Sequence, residues 1–309
     1  EMTGCYVYRG FDQEEGVEIT WLEYDITNIQ PNRGNTLVSA VQRIGGLSHP
    51  NILQMRKAWM DKGRQHLYLI CEHFESISIR AYVQDIVKNP SRTMISKWFL
   101  QIADALAYLH EAGIRHLGLD CENIYIDPSE GVVKIGLPEI SSLLFDKISP
   151  LSAPEAQKGS PDVKSDVWSV GLCLLEMVTN EIPYYEYETD SAKRTAILSG
   201  AHPASLQEVA DPIIADFIAS CLLPVDNRPS VQSLLESPLI NDTSSGQTTP
   251  RYKENSTTVD PRLLNIIERQ EQEVRNLQSE QKRARAALRT EIRQRSAKRS
   301  IRDLIDEIG

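Results

Sequence analysis

The run "HLGLDCENIYI", residues 116–126, brings a histidine, an aspartate and an asparagine within eight positions. Asp120 could take a proton from a hydroxyl, which is general-base chemistry. Asp120 and Asn123 together offer oxygen donors of the kind a hard cation prefers. Gly118, two positions before Asp120, has no side chain for either task. The five cysteines, Cys5, Cys71, Cys121, Cys173 and Cys221, are scattered and contain no CxxC pair. Their spacing suggests neither a zinc site nor a disulfide framework, and free thiols in a reducing compartment are expected.

The elements that must position these residues change character along the chain. "CYVYRGF" and "VEITWLEYDI" alternate in polarity around "DQEEG" and predict a hairpin. "NTLVSAVQRIGGL" has helical spacing at Leu37, Val41 and Ile44 and stops at Gly45-Gly46. Two further strands are expected around "DKGR". "MISKWFLQIADALAYLHEAG" then puts Trp98, Ile102, Ala105, Leu106 and Leu109 on one stripe, with Gly113 as the stop. "KSDVWSVGLCLLEMV" is apolar nearly all round and predicts a buried helix, and more helices follow in "PIIADFIASCLL" and "VQSLLES". A β-rich lobe followed by an α-rich lobe is an α+β plan with a cleft between.

Residues 241–260 concentrate Ser, Thr, Asn and Gly and read as a flexible linker. Residues 261–309 read as a long charged helix, with Ile267, Val274 and Leu288 on one heptad position and Leu277 and Ala284 on its partner. Gln270, Gln281, Glu291, Arg295 and Lys298 interrupt that seam, so its coiled-coil character is weak. The net charge of −10 is uneven: residues 261–309 hold twelve Lys/Arg against eight Asp/Glu, leaving −14 on residues 1–260. An acidic body argues against nucleic-acid binding. The longest apolar stretch, residues 169–178, is too short to span a bilayer. No signal peptide opens the sequence, and it begins inside a predicted strand, so the natural start is expected upstream. A cytoplasmic, soluble protein is expected, with cytoskeletal association open.

From about Val7 to Ile240 the chain resembles a eukaryotic protein kinase, specifically the WNK ("with no lysine") kinases. "VYRGFDQEEGVEITWLE" is similar to their β2–β3 stretch, and "GGLSHPNI" to the end of their helix C. "CENIYI", "VKIG", "SAPE", "SDVWSVGLCLLEMVTNEIPYYE" and "DNRPS" follow in the family's order, and "SGAHPASLQEVADPII" resembles a WNK segment. The nuclear-receptor-binding-protein pseudokinases, which share an altered His-x-x-Leu loop, are the rival branch. The resemblance implies a bilobal fold: an N-lobe over residues 1–74, a C-lobe over 75–240, the linker 241–260 and the helix 261–309.

It also implies where phosphoryl-transfer groups should stand, and this sequence departs at each. Of the Gly-rich loop only Gly4 is present. Cys5 occupies the last-glycine position, from which WNK kinases supply their displaced lysine. Leu22 stands for the ordinary β3 lysine and Ala40 for its helix C glutamate. Gly118 replaces the catalytic aspartate, and Leu137, Pro138 and Glu139 replace the metal-binding triplet. Asp120 falls where the family holds a lysine against the γ-phosphate, and like charges 4 Å apart cost about 4 kcal/mol at an effective dielectric near 20. The architectural residues remain: His116, Glu155 of "SAPE", Asp166 and Arg228.

The sequence therefore leads to the expectation of a pseudokinase, not an enzyme, with no catalytic residue and no metal. ATP and Mg²⁺ are not expected, although metal-independent nucleotide binding stays open. Cys71, at the gatekeeper position, and Asn123 are vestigial cleft candidates, while Leu22 and Leu137 could instead fill the pocket. The expected role is a scaffold or allosteric partner, touching proteins through the lobes and the C-terminal helix, with self-association through 261–309 open and no nucleic acid or membrane partner. The alternatives are an atypical serine/threonine kinase with residual ATP binding or phosphotransfer, and a structural component of a large assembly. The "SSLLF" run, if exposed, would be a partner-binding patch.

Overall fold

Alternating polarity builds an antiparallel hairpin from β1 (Cys5–Asp12) and β2 (Val17–Asp25), closed through Gly16 at a φ of +69° that suits a residue without Cβ. β3 (Met55–Asp61) and β4 (His66–Glu72) complete a four-stranded antiparallel sheet in the order β1-β2-β4-β3. The two-residue period divides the faces. Leu22 pairs with Val7 and Leu69, while the neighbouring Trp21 stacks its edge on Trp59 and Tyr68 on the other face. Helix α1 (Gly34–Gly45) packs on β3 and buries Leu37, Ala40 and Ile44.

This computed structural model describes residues 5–27, 34–61, 63, 65–138, 140 and 149–241. All of them belong to one compact unit, Glu1–Gly246. Most of the predicted linker, the whole predicted C-terminal helix at 261–309, the "SSLLF" run, Gly4 and Glu139 lie outside the described residues.

The second lobe begins with a short α2 (Ile79–Ala81) that runs on as π-helix over Tyr82–Val87. Helix α3 (Arg92–Glu111) is capped by Ser91, whose Oγ accepts the Met94 N–H at 3.3 Å. Its predicted stripe of Trp98, Ile102, Ala105, Leu106 and Leu109 is buried throughout, each such leucine contributing about 1.5–3 kcal/mol. A small antiparallel sheet joins β5 (Ile77–Ser78), β6 (Ile124–Ile126) and β7 (Val133–Ile135). The stretch before β3 is tied to β7: Ile135 N–H donates to Asn51 O and Leu53 N–H to Ile135 O, both at 2.9 Å. Asn51 Nδ2 also donates to Val133 O at 2.8 Å.

The remaining helices are α4 (Pro154–Gln157), α5 (Lys164–Thr179), α6 (Asp190–Leu198), α7 (Pro212–Cys221), α8 (Val231–Leu235) and α9 (Pro238–Asn241), with a 3₁₀ turn at Ala204–Glu208. Helix α5 is buried almost all round, as its apolar run predicts. The fold is α+β, a β-rich N-lobe on an α-rich C-lobe. Among the described residues no helix is long and apolar enough to cross a membrane.

Candidate functional site

The loop from His116 to Asn123 hangs from one carboxylate. Asp166, 1% exposed in the first turn of α5, accepts the His116 N–H at 2.8 Å and the Leu117 N–H at 2.9 Å. His110 Nε2 of α3 sits 2.8 Å from the same carboxylate. These contacts hold Leu117 in left-handed backbone, φ 57°, a conformation that a side chain ordinarily resists. His116 lies under the loop, its Nε2 against Gly136 O at 3.2 Å and its Nδ1 receiving the Gly118 N–H at 3.3 Å. Burial pushes its imidazole below the ordinary value, against the opposing pull of Asp166.

Beyond Gly118 the loop closes on itself. Asp120 Oδ1 accepts the N–H groups of Glu122 and Asn123, both at 2.9 Å, and Asn123 Nδ2 donates to Gly118 O at 2.6 Å. Asp120 is open to solvent by area yet packed into a dense hollow. Desolvation pushes its carboxyl above the usual range despite those two N–H groups. A cavity of about 130 Å³ adjoins it, lined among others by Gly118, Ser149, Ser152 and Cys173. Arg80 forms one wall, with its Nε and Nη2 on the Glu176 carboxylate and its Nη1 on Glu122 at 2.9 Å.

A second cavity, about 180 Å³, lies in the cleft between β1–β2 and the C-lobe. Cys5, Val7, Thr20 and Leu22 roof it, Phe74 and Ser76 of the connecting segment edge it, and Asn123, Tyr125 and Leu137 floor it. Leu22 and Leu137 thus line the cleft and leave it open; the expectation that they could fill it is corrected. Cys71 is fully buried in β4 and is not one of the lining residues, and burial pushes its thiol up to about 12. Ala40 is fully buried in α1.

Magnesium does not fit the residues present. Asn123 donates its Nδ2 to Gly118 O and Asp120 Oδ1 accepts two backbone amides, which leaves at most one oxygen of each for a cation, and the third position is the hydrocarbon of Leu137. Among the described residues no three His, Cys, Asp or Glu side chains come close enough to share a cation, where a hard divalent ion wants several oxygens.

Farther down the C-lobe, Glu155 meets the fully buried Arg228 as a two-point pair, Nη1 to Oε1 at 2.6 Å and Nη2 to Oε2 at 3.3 Å. Ser165 Oγ donates to the same carboxylate at 2.7 Å, and Arg228 packs over the Trp168 ring. This ties the segment ending at α4 to the start of α5. Sequence reasoning missed the contact of His110 with Asp166, the Arg80–Glu176–Glu122 cluster and the pair Lys134–Glu72, 2.6 Å apart beside the cleft. A readable signal existed for one: Glu176 is a carboxylate within the apolar stretch of α5, which requires a buried partner.

This geometry is that of a protein kinase, and a family profile described as "Protein kinase domain" matches residues 3–240. The chain belongs to the protein kinase family. Within that family it is WNK-like: it is 31% identical over 262 residues to "Probable serine/threonine-protein kinase WNK10" of Arabidopsis thaliana, covering 81% of this chain and 50% of the relative. It is 32% identical to "Serine/threonine-protein kinase WNK8" of the same plant, over 76% of this chain and 43% of that protein. It is 33% identical to "Probable serine/threonine-protein kinase WNK5" of Oryza sativa subsp. japonica, over 78% of each. The chain spans about half the length of the first two of these relatives.

The expectation that the chain is not an enzyme is corrected by these relatives, which are named as kinases and align across most of the chain. The physical reason is that an inventory of missing groups does not measure a barrier. The loop, its Asp166 anchor and an open cleft are in place together.

Proposed function

We propose that the chain is an atypical WNK-like serine/threonine protein kinase that takes ATP into the interlobe cavity and transfers phosphate slowly to a hydroxyl, with Asp120 receiving the proton. The observation that carries this reading is an open cleft floored by Asn123, on a loop still fixed by Asp166. The relatives' names supply the acceptor class, a serine or threonine hydroxyl.

In this scheme Asp166 and His116 hold the loop rigid, Asn123 braces it through Gly118 O, and Asp120 faces the hollow where a hydroxyl would lie. Desolvation raises the Asp120 carboxyl above the usual range, the direction that favours accepting a proton. No step passes through magnesium. With no lysine at position 22 and no metal-binding aspartate at 137, the rate is expected to fall on the order of 10⁴-fold below a conventional kinase, since each lost electrostatic contact is worth about 10²–10³.

Radiolabelled transfer from ATP by the full chain tests the proposal. Transfer should survive EDTA, rise with pH through a value above the ordinary aspartate pKa of about 3.9, and fall by about 10² or more in Asp120→Asn. Transfer that EDTA abolishes, or that Asp120→Asn leaves intact, would overturn it, as would no transfer at all.

A further inference from the structure

We infer that Cys121 and Cys173 are a dithiol site for a small hydroperoxide, which closes them to a disulfide and ties the His116–Asn123 loop to the middle of α5. The site uses side chains that phosphotransfer does not touch, so it stands or falls apart from the proposed function.

Contact is the first argument. The two residues are 52 positions apart, yet Cys121 Sγ lies 3.5 Å from the Cys173 backbone oxygen, and the two thiols share a hydrogen bond. Both are free cysteines. Side chains that already touch across two elements need little backbone movement to reach disulfide geometry. Access is the second argument. Cys173 lines the cavity of about 130 Å³ beside Asp120, where one water needs only about 10–15 Å³ on the same measure. A molecule the size of hydrogen peroxide therefore fits against that sulfur. Cys121 is buried behind it and is not one of the lining residues. Cys71 and Cys221 are as deeply buried and line neither this cavity nor the interlobe one.

The surroundings assign the roles. The hydrogen bond from Cys121 draws the Cys173 thiol down and favours its thiolate, although burial with Asp120 and Glu176 leaves it raised overall. That same bond, and then burial, hold Cys121 well above the ordinary thiol value. Cys173 is thus the attacking sulfur and Cys121 the resolving one. The Cys173 thiolate takes the terminal oxygen of the hydroperoxide and the O–O bond breaks. The departing alkoxide picks up the proton that the thiol gave up and leaves as an alcohol, or as water from hydrogen peroxide. Cys121 sulfur then attacks the Cys173 sulfenic acid, and the displaced hydroxide takes the Cys121 proton and leaves as water. Two thiols lose two electrons, and the O–O bond gains them. Because both thiols stay protonated near neutrality, closure is slow and answers to sustained exposure.

Peptide mapping without reductant, on the full chain after graded doses of hydrogen peroxide, tests the inference. The expected product is a cross-linked peptide pair holding Cys121 and Cys173, lighter by two hydrogens and restored by dithiothreitol. Cys71 and Cys221 should remain open to alkylation once the treated chain is unfolded. Cys121→Ser should leave Cys173 as a sulfenic acid that a cyclic diketone traps, whereas Cys173→Ser should leave Cys121 a thiol. A cross-link between any other pair would overturn the inference, as would Cys121 and Cys173 still open to alkylation at doses that oxidise Cys5. Trapping on Cys121 in preference to Cys173 would overturn the assigned roles. The map of the unsubstituted chain decides even where a variant fails to fold.

Discussion

His116 shows how much one side chain can fix. Its Nε2 donates to Gly136 O and its Nδ1 accepts the Gly118 N–H, so both ring nitrogens are satisfied by the neutral tautomer. A second proton would set donor against donor under the loop. Burial holds the folded pKa below the ordinary value of about 6.5, so the unfolded chain takes up the proton first. Stability should therefore begin to fall as pH drops below about 6.5, and continue to fall until the folded value is passed. Urea unfolding between pH 7 and 5 checks this: His116→Gln should flatten the slope, and superimposable slopes would refute the assignment. Glu155 acts lower on the scale. Burial alone would raise it, but Arg228 and Ser165 hold it below the carboxylate range, so its contribution is complete above about 4.3 and lost as pH falls through the folded value. Residues of this kind were partly legible in the sequence, because Asp166, Glu155 and Arg228 sit in short motifs. His110 and Arg80 were not, because their partners lie 56 and 96 positions away and leave no local pattern.

At the scale of elements, legibility followed length. The stripe of α3 and the all-round burial of α5 repeat over several turns, so their periodicity is readable. Strands β6 and β7 are three residues each, too short to show a period, and the π-helical Tyr82–Val87 follows neither period. The cleft was the hardest to read, since an open cavity and one filled by Leu22 and Leu137 share one sequence. Where α5 meets α7 the sequence does leave a mark, at Gly171. A Cβ there would stand 2.6 Å from the Cβ of Cys221, so the helices approach only because residue 171 has none. Gly171→Ala should destabilise by about 1–3 kcal/mol through overpacking, even though alanine is the better helix former. Chemical denaturation of the variant decides it; unchanged stability would mean the two helices part without cost.

For the molecule as a whole, the core runs without a break from Tyr24 in β2 to Leu239 in α9. Two lobes that share one apolar cluster should unfold together. The four tryptophans divide conveniently, Trp21 and Trp59 on the N-lobe sheet and Trp98 and Trp168 in C-lobe helices. Single-tryptophan variants followed by fluorescence should give one common thermal midpoint, matching circular dichroism. Midpoints that separate by lobe would show that the shared core does not couple them.

Ala40, fully buried in α1, has one more consequence. A kinase that joins the corresponding helix to the sheet through a lysine–glutamate bridge owns an electrostatic latch, which phosphate groups or salt can open and close. Here the latch is grease. Hydrophobic contact has no charge for salt to screen, and it weakens on cooling. At position 40, then, the posture of α1 answers to side-chain volume and temperature, where a bridge would have answered to charge.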